Sequence, residues 1–459
     1  MKTYTPELDS AVLERLRGYA ALFADAFPQA KPARWAGVYL QGLLLDGERK
    51  SVEPISRRVT LPEGLTSKDP EQALQQFVNQ SPWDEGKVLR RYRARMAEAF
   101  ASPEGIFVID DVSFPKQGRH SVGVQRQYCG ALGKKANCQV APSVHYVAPA
   151  GHYPLDLRLY LPDSWLADEQ RLDKAGVPEA ERRPLTKPEI ALELLDRVRG
   201  EGLPGWAVVT DAGYGASADF RDGVAARGLV YMAGVTGDFV VFTEPPTWVP
   251  PRASGRGRPA TRHRLAPDNP PPVALSELAK RVRLRQVTWR EGSKGKLSAR
   301  FAWLRVWPGH GWQRGACAGA GPVWLLIEEQ ADGKLKFAFS NLPPGTSCKK
   351  AVRLWKSRWP VEQGYQQLKE ELGLDHFEGR SWRGFHHHAC LTFLAYGFLT
   401  LERQRAAAAP KGPVKKKSAH GPDPAGHPAG AAAPARAADA RELPPLPKAP
   451  ANAHANLTE

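Results

Sequence analysis

Cysteine is scarce in this chain. Five are spread over 459 residues (Cys129, Cys138, Cys317, Cys348 and Cys390), and no two form a C-x-x-C pair. That spacing excludes a disulfide frame and a cysteine zinc site, and it leaves reduced, mostly buried thiols. Long apolar runs are missing as well. No stretch approaches the roughly 18 residues of a spanning helix, so no membrane partner is expected. The N-terminus, MKTYTPELDSAVLERL, lacks the charged-then-apolar order of a signal peptide, which makes a cytoplasmic protein the expectation. No internal repeat is evident. Acidic residues are in deficit, with 48 Asp and Glu against 64 Lys and Arg, a formal charge of +16 and a pI near 9.6. Such an imbalance points to a polyanionic partner, nucleic acid before membrane. It also argues against a glycosidase-like hydrolase acting on a neutral substrate through paired carboxylates.

The chain divides by pattern. Residues 1–100 predict a small helical domain, with amphipathic segments from Leu8 to Phe23, Trp35 to Leu45, Glu71 to Gln80 and Trp83 to Phe100. The last carries Lys87, Arg90, Arg91, Arg93 and Arg95. Basic helical faces suit duplex DNA, and packing on a neighbouring domain explains them equally well. Residues 101–234 change to an α/β pattern. An apolar run, Ile106 to Ile109, ends in Asp110-Asp111. Strands follow at Asn137 to Val147 and Leu155 to Leu161. Thr186-x-x-Glu189 with Pro188 is a capping box opening a helix through Val198. A buried-type strand, Trp206 to Thr210, ends in Asp211-Ala-Gly-Tyr-Gly. This order predicts an α/β unit with a mixed sheet.

Residues 235–345 form a Pro- and Trp-rich stretch of alternating strands, a β-rich insertion. Residues 346–404 return to helices, and 405–459 form a basic Ala/Pro-rich tail predicted to be disordered. Within the penultimate part, Val361, Tyr365, Leu368 and Leu372 recur at helical spacing, and Arg358, Glu362 and Lys369 fall one residue round on a common face.

Asp110 or Asp111, Asp211 and Glu362 are therefore the candidate catalytic carboxylates. The first two close strands, where open α/β sheets place their sites. Three carboxylates meeting at one point repel one another unless cations neutralise them. Oxygen ligation suits Mg²⁺ or Mn²⁺, and two such ions can activate a water or a 3′-hydroxyl on a phosphodiester. The first Asp, Asp211 and Glu362 would be the metal ligands, and Arg358 and Lys369 would contact DNA phosphates.

Four stretches, YLQGLLLDGERKSVEPIS (39–56), the one from Ile109 to Ala141, VVTDAGYG (208–215) and the one from Arg358 to His388, resemble bacterial insertion-sequence transposases of the DDE type. The resemblance is to the group numbered 701, related to the cut-and-paste group numbered four, and covers roughly residues 30 to 400. It implies a ribonuclease H-like catalytic core with a β-rich insertion between the second Asp and the Glu. It implies metal-dependent cleavage at element ends, strand transfer into target DNA, and a homodimer on double-stranded DNA in the nucleoid. The alternative is a transposase-derived DNA-binding protein without activity. The related group carries Tyr-x2-Arg-x3-Glu-x6-Lys around its glutamate. Here Arg358, Glu362 and Lys369 fit, and Trp355 stands in the Tyr place, where its aromatic body would stack on a sugar or base. The family register favours Asp110 as the first Asp. Strand parity puts Asp111 on one face with Phe107 and Ile109, and both stay open.

Other motifs carry less. Lys116, Arg119 and Arg126 flank the first Asp in sequence and are candidate DNA-backbone contacts. His386, His387 and His388 are consecutive on a helix and point in three directions, so they cannot chelate together. Arg256-Gly-Arg-Pro259 matches the core of a minor-groove hook by a chance-sized stretch. The insertion tryptophans Trp289, Trp303 and Trp324 read as strand core. Lys415 to Lys417 read as part of a solvated tail.

Overall fold

The computed structural model of the chain describes residues 9–251, 261–292 and 295–408. The Arg256–Pro259 stretch and the tail beyond residue 408, with Lys415 to Lys417, lie outside the described residues.

The first five helices are α1 (Ser10–Ala21), α2 (Ala30–Leu44), α3 (Val52–Arg58), α4 (Pro70–Asn79) and α5 (Glu85–Phe100). Three of them start on an aspartate whose side chain accepts from the first turn: Asp9 for α1, Asp69 for α4 and Asp84 for α5. Their apolar stripes bury Leu16, Trp35, Tyr39, Leu74, Phe77, Val88 and Tyr92 in a core continuous with that of the sheet. Of the basic residues of α5, Arg93 is spent on this packing, while Lys87, Arg90 and Arg91 stay exposed. Arg93 is buried and reaches Glu201 at 2.5 Å and Asp156 at 3.3 Å, and Arg91 pairs with Asp25.

Next come β1 (Ile106–Pro115), β2 (Gln125–Cys129), β3 (Lys134–Ala148) and β4 (Gly151–Leu157). Two short helices follow, α6 (Asp163–Leu166) and α7 (Glu169–Lys174), then α8 (Lys187–Gly200). The capping box forms at α8, with Thr186 and Glu189 satisfying each other's main chain. Strand β5 (Ala207–Thr210), the one-turn α9 (Ala212–Gly215), α10 (Ala218–Ala226) and β6 (Val230–Val235) complete the unit. β1 runs antiparallel to β3, and β3 pairs with both β2 and β4. β1 is parallel to β5, and β5 to β6. The spatial order is thus β4-β3-β1-β5-β6, a mixed sheet.

The stretch from 240 to 340 supplies β7 (Val240–Phe242), β8 (Trp248–Val249), β9 (Arg264–Leu265), β10 (Val273–Ala274), α11 (Leu275–Ala279), β11 (Arg285–Gly292), β12 (Gly295–Pro308), β13 (Val323–Glu329) and β14 (Leu335–Ser340). Apart from the β8–β9 pair, these strands continue the same sheet, because β14 pairs antiparallel with β6. Three helices close the described residues: α12 (Cys348–Lys356), α13 (Trp359–Glu370) and α14 (Trp382–Ala408). α12 begins on the cap Ser347, and α13 follows after a break at Ser357 and Arg358. α14 is buried nearly all round and packs on α2, α4, α5 and β4, so it ties the N-terminal helices to the sheet. No helix among the described residues is long and apolar enough to cross a membrane.

Candidate active site

Sheet geometry brings the first two aspartates together. β1 and β5 are neighbouring parallel strands, and their ladder ends at Ile109 opposite Thr210. Asp110 and Asp211 come directly after that last pair, about one strand spacing of 4.8 Å apart in the main chain. Side chains alternate along a strand, so Val108 and Asp110 share one face of β1, while Ala207, Val209 and Asp211 share that face of β5. Val108, Ala207 and Val209 pack in one apolar cluster with Trp355 and Val361, which places α12 and α13 over this face. Asp211 keeps extended backbone and caps α9 by accepting from the Gly213 N–H at 2.9 Å.

Close packing behind Asp211 explains two glycines. A Cβ on Gly215 would stand 1.9 Å from the Gly234 carbonyl oxygen, and one on Gly234 would meet the Ala212 nitrogen at 2.9 Å. Only two glycines let the turn after Asp211 rest directly on β6.

Glu362 comes from α13, where it is more than half exposed, with 56% of its side-chain surface free. Arg358, a turn earlier, sits between it and the sheet. Its guanidinium donates to Asp110 Oδ2 at 2.9 Å and stands 3.9 Å from Glu362 Oε1. Arg358 is four-fifths covered. Burial pulls its pKa down, but the charges of Asp110 and Asp211 outweigh this, and the net direction is upward. Its Nε is buried without a hydrogen-bond partner among the described residues. Asp211 bears the opposite consequence. Burial, then the charge of Asp110, pushes its carboxyl up to about 6, against the opposing pull of Arg358.

Asp111 belongs to the other face of β1, with Phe107 and Ile109. It accepts from the Tyr214 hydroxyl and pairs with Lys187 Nζ at 2.7 Å. The parity noted in the sequence is therefore present, but it turns Asp111 away from α13. No group of three His, Cys, Asp or Glu side chains close enough to share a metal ion occurs among the described residues. Arg358 is the cation that stands among the carboxylates.

The candidate DNA contacts separate. Trp355 turns inward. It is only 8% exposed, on the face of α12 that packs on β11 to β13, and its indole N–H donates to Glu328 at 2.7 Å. A side chain buried to hold a carboxylate has no free face for a sugar or base. Lys369 and Lys116 also point inward. Lys369 Nζ donates to the Ser113 carbonyl at 3.0 Å and lies over the Phe114 ring, and Lys116 Nζ donates to the Phe377 carbonyl at 2.6 Å. Burial lowers both ammonium pKa values. Arg126 is exposed on β2 and Arg119 on the loop after β1.

Four supporting residues escaped the sequence reading. Lys187 and Tyr214 hold Asp111, while Ser143 donates to the Asp110 carbonyl at 2.8 Å and also meets the Tyr365 hydroxyl. Tyr214 and Tyr365 lay inside the quoted motifs, Tyr365 as a stripe residue. Lys187 had no local signal, since it is 76 residues from its partner.

The three histidines of α14 are buried and spoken for. His386 bonds the Trp382 carbonyl, His387 meets the Val78 and Trp83 carbonyls, and His388 lies between the Tyr39 hydroxyl and the Gly373 carbonyl.

Comparison with known proteins bears on this geometry. A family model described as "DDE superfamily endonuclease" matches residues 22–296, a range that contains Asp110, Asp111 and Asp211 and stops before Glu362. A curated relative from Microchaete diplosiphon, described as "Probable transposase for insertion sequence element IS701", is 30% identical over 200 residues. The matched part is 43% of this chain and 47% of that protein, so the chain spans about half the length of the curated relative it matches.

Proposed function

The chain belongs to the DDE superfamily of endonucleases, and from that premise we propose that it is a transposase that cuts DNA at the ends of its own element and joins the freed 3′-hydroxyls to target DNA. The sheet order β4-β3-β1-β5-β6, with only β3 antiparallel to its central neighbour β1, supports a ribonuclease H-like core. The observation that carries the reading is the shared face of Asp110 and Asp211 beneath α13, with Arg358 linking Asp110 towards Glu362.

In this reading Asp110, Asp211 and Glu362 are the catalytic carboxylates, and Asp111 is a positioning residue held by Lys187 and Tyr214. DDE enzymes as a family use divalent metal ions, and the residues here fit such an ion. The donors are all carboxylate oxygens, which suit Mg²⁺ or Mn²⁺. The raised carboxyl of Asp211 marks negative charge that Arg358 alone does not neutralise. Bound by these three side chains, two ions would supply an activated water or hydroxyl and charge stabilisation at the scissile phosphate. Glu362, half exposed, is free to turn towards the two aspartates.

The chain's own groups do the rest. Asp211, its carboxyl raised by burial and by Asp110, would hold a cation in competition with a proton. Arg358 exchanges Asp110 for a DNA phosphate, and its unpartnered Nε together with its terminal nitrogen makes a fork that matches two phosphate oxygens. Ser143 and the Tyr365 hydroxyl hold the main chain of Asp110 while its carboxylate changes partner. Joining needs two element ends side by side, so a homodimer on DNA belongs to the same proposal. The cell's nucleoid is where such DNA lies.

The test is cleavage of labelled duplex carrying the element's end, incubated in Mn²⁺, in EDTA, and with the Asp211→Ala variant. Cutting at the element boundary only with metal and intact Asp211 is expected. Retarded but uncut DNA in every condition would instead indicate a DNA-binding protein without activity.

A further inference from the structure

A groove of about 860 Å³ lies between the N-terminal helices and the loop that follows α13. One wall is α4. Its apolar residues Leu74, Phe77 and Val78 are buried. Its opposite face carries Gln72, Gln75, Gln76 and Gln80, all exposed and all lining the groove. Steps of three, one and four keep these amides on one side of a helix. The facing wall carries Arg171 and Lys174 of α7, Arg380 and His120. Lys174 and Arg380 are exposed, and Arg171 is held flat over the Trp165 ring at 3.7 Å. Glu53, Glu71 and Glu378 also border the groove, and Glu378 is paired with Arg49 at 2.8 Å.

A solvated helix face would account for isolated polar residues. A row of four carboxamides opposite a row of cations has a more specific match. Each carboxamide offers a donor and an acceptor side by side, the pattern that meets N6 and N7 of adenine in the major groove. Cations beside such a helix meet the phosphates that flank the groove. The cleft is also joined to the candidate active site. α13 carries Glu362 at one end, and the loop after its other end, residues 376–381, lines the cleft. Glu362 to Glu370 is eight residues, about 12 Å of helix, or roughly three to four base pairs. The loop after β1 is stitched to the same floor, because Lys116 donates to the Phe377 carbonyl and the Val122 N–H to the Arg380 carbonyl.

We propose that α4 reads base edges in the major groove of the element-end duplex through Gln72, Gln75, Gln76 and Gln80, while Lys174 and Arg380 hold the adjacent phosphates. This assignment rests on the DNA-cutting function proposed above. It goes further in naming the surface that gives the enzyme its sequence preference.

The experiment is selection from a random-sequence duplex pool with the full chain in EDTA, followed by competition binding of the enriched sequence against a scrambled duplex. Wild type enriches a motif. The Gln75→Ala/Gln76→Ala double variant still retains duplex, yet its preference for the motif over scrambled DNA falls about tenfold or more. The Lys174→Ala/Arg380→Ala variant weakens binding to both duplexes alike, and its salt slope drops by about two. Enrichment of the same motif at the same strength by the glutamine variant overturns the proposal. So does a wild type that retains duplex without enriching any motif. A wild type that retains no duplex at all overturns the DNA-cutting function as well, and this separates the two failures.

Discussion

Helices α13 and α14 are neighbours in the chain, joined by the loop 371–381, and both display titratable side chains in sequence. α14 carries three consecutive histidines inside a helix buried nearly all round. Their ring nitrogens meet main-chain groups or the Tyr39 hydroxyl, His386 Nε2 accepting from the Leu159 N–H, His387 also stacks on Trp83 at 3.6 Å, and burial pushes their pKa values down to about 4, 3 and 4. α13 carries fewer titratable groups and leaves them unbalanced. Arg358 is shared between carboxylates and Glu362 faces solvent. The difference teaches how to tell a packing group from a working one. A buried polar group that has found a neutral partner is finished, whereas a buried charge only partly compensated, such as Asp211 beside Asp110, still has binding energy to give.

Breaking each helix in turn sharpens the contrast. The largest effect is expected on the α13 side. Asp110→Ala or Asp211→Ala should lower metal-dependent cleavage at least ~10³-fold, measured by single-turnover kinetics, and Asp211→Ala should do so with thermal unfolding no worse than wild type, whereas Asp110→Ala also strips the covered Arg358 of its partner. A parallel loss of folding in Asp211→Ala would mean that this residue serves the fold.

On the α14 side, His387→Ala removes a fully buried ring that lies between the Val78 and Trp83 carbonyls, and with it the one N–H that a neutral imidazole donates. It should cost about 3–5 kcal/mol in denaturant unfolding, while cleavage per folded molecule stays unchanged.

The third probe is pH. The Asp211 carboxyl rises from 3.8 to about 6 on folding, so the native state holds its proton longer than the unfolded chain. Stability therefore declines as pH climbs from about 4 to 6 and is level above that. Asp211→Asn should raise the Tm by about 2–5 °C near neutral pH, and the gain should vanish below about 4. Mn²⁺ affinity of the wild type should rise through pH 6, read by calorimetry with a proton released on binding. A pH-independent difference between the two proteins would remove Asp211 from the charge cluster.

The smallest effect tests the inward turn of the α13 lysine. Lys369→Met loses one hydrogen bond to the Ser113 carbonyl and should cost about 1 kcal/mol of stability, with the salt dependence of DNA binding unchanged. A fall in the salt slope would return Lys369 to the DNA surface.

Much of this site was legible in the residues. Of the two apolar runs ending in aspartate, the one before Asp211 closed a strand, whereas β1 runs on through Asp110 and Asp111 to Pro115, and the spacing of Arg358, Glu362 and Lys369 told of one helix. The helix cap at Thr186 formed as written, because a capping box is a local reciprocal hydrogen bond. What stayed hidden involved partners distant in the chain. Which of Asp110 and Asp111 meets Arg358 depends on which sheet face lies under α13. That is decided by the β1–β5 register and by α12 and α13 crossing from 240 residues away. Trp355 looked like a DNA contact until the outer strands covered it, since nothing nearby in sequence shows that Glu328 needs its indole. The β-rich stretch announced its strands by alternation, but their fusion with the central sheet through β6 and β14 is a long-range pairing.

The sequence by itself determined the elements, the identity of the candidate carboxylates and the basic character that calls for a polyanion. These depend on periodicity, capping and charge count, which are properties of neighbouring residues. Tertiary structure alone decided which aspartate meets Arg358, which cations turn inward to main-chain oxygens, and which face of α4 borders a groove. Those outcomes are set by burial and by the parity of paired strands, and both come into being only when distant segments pack.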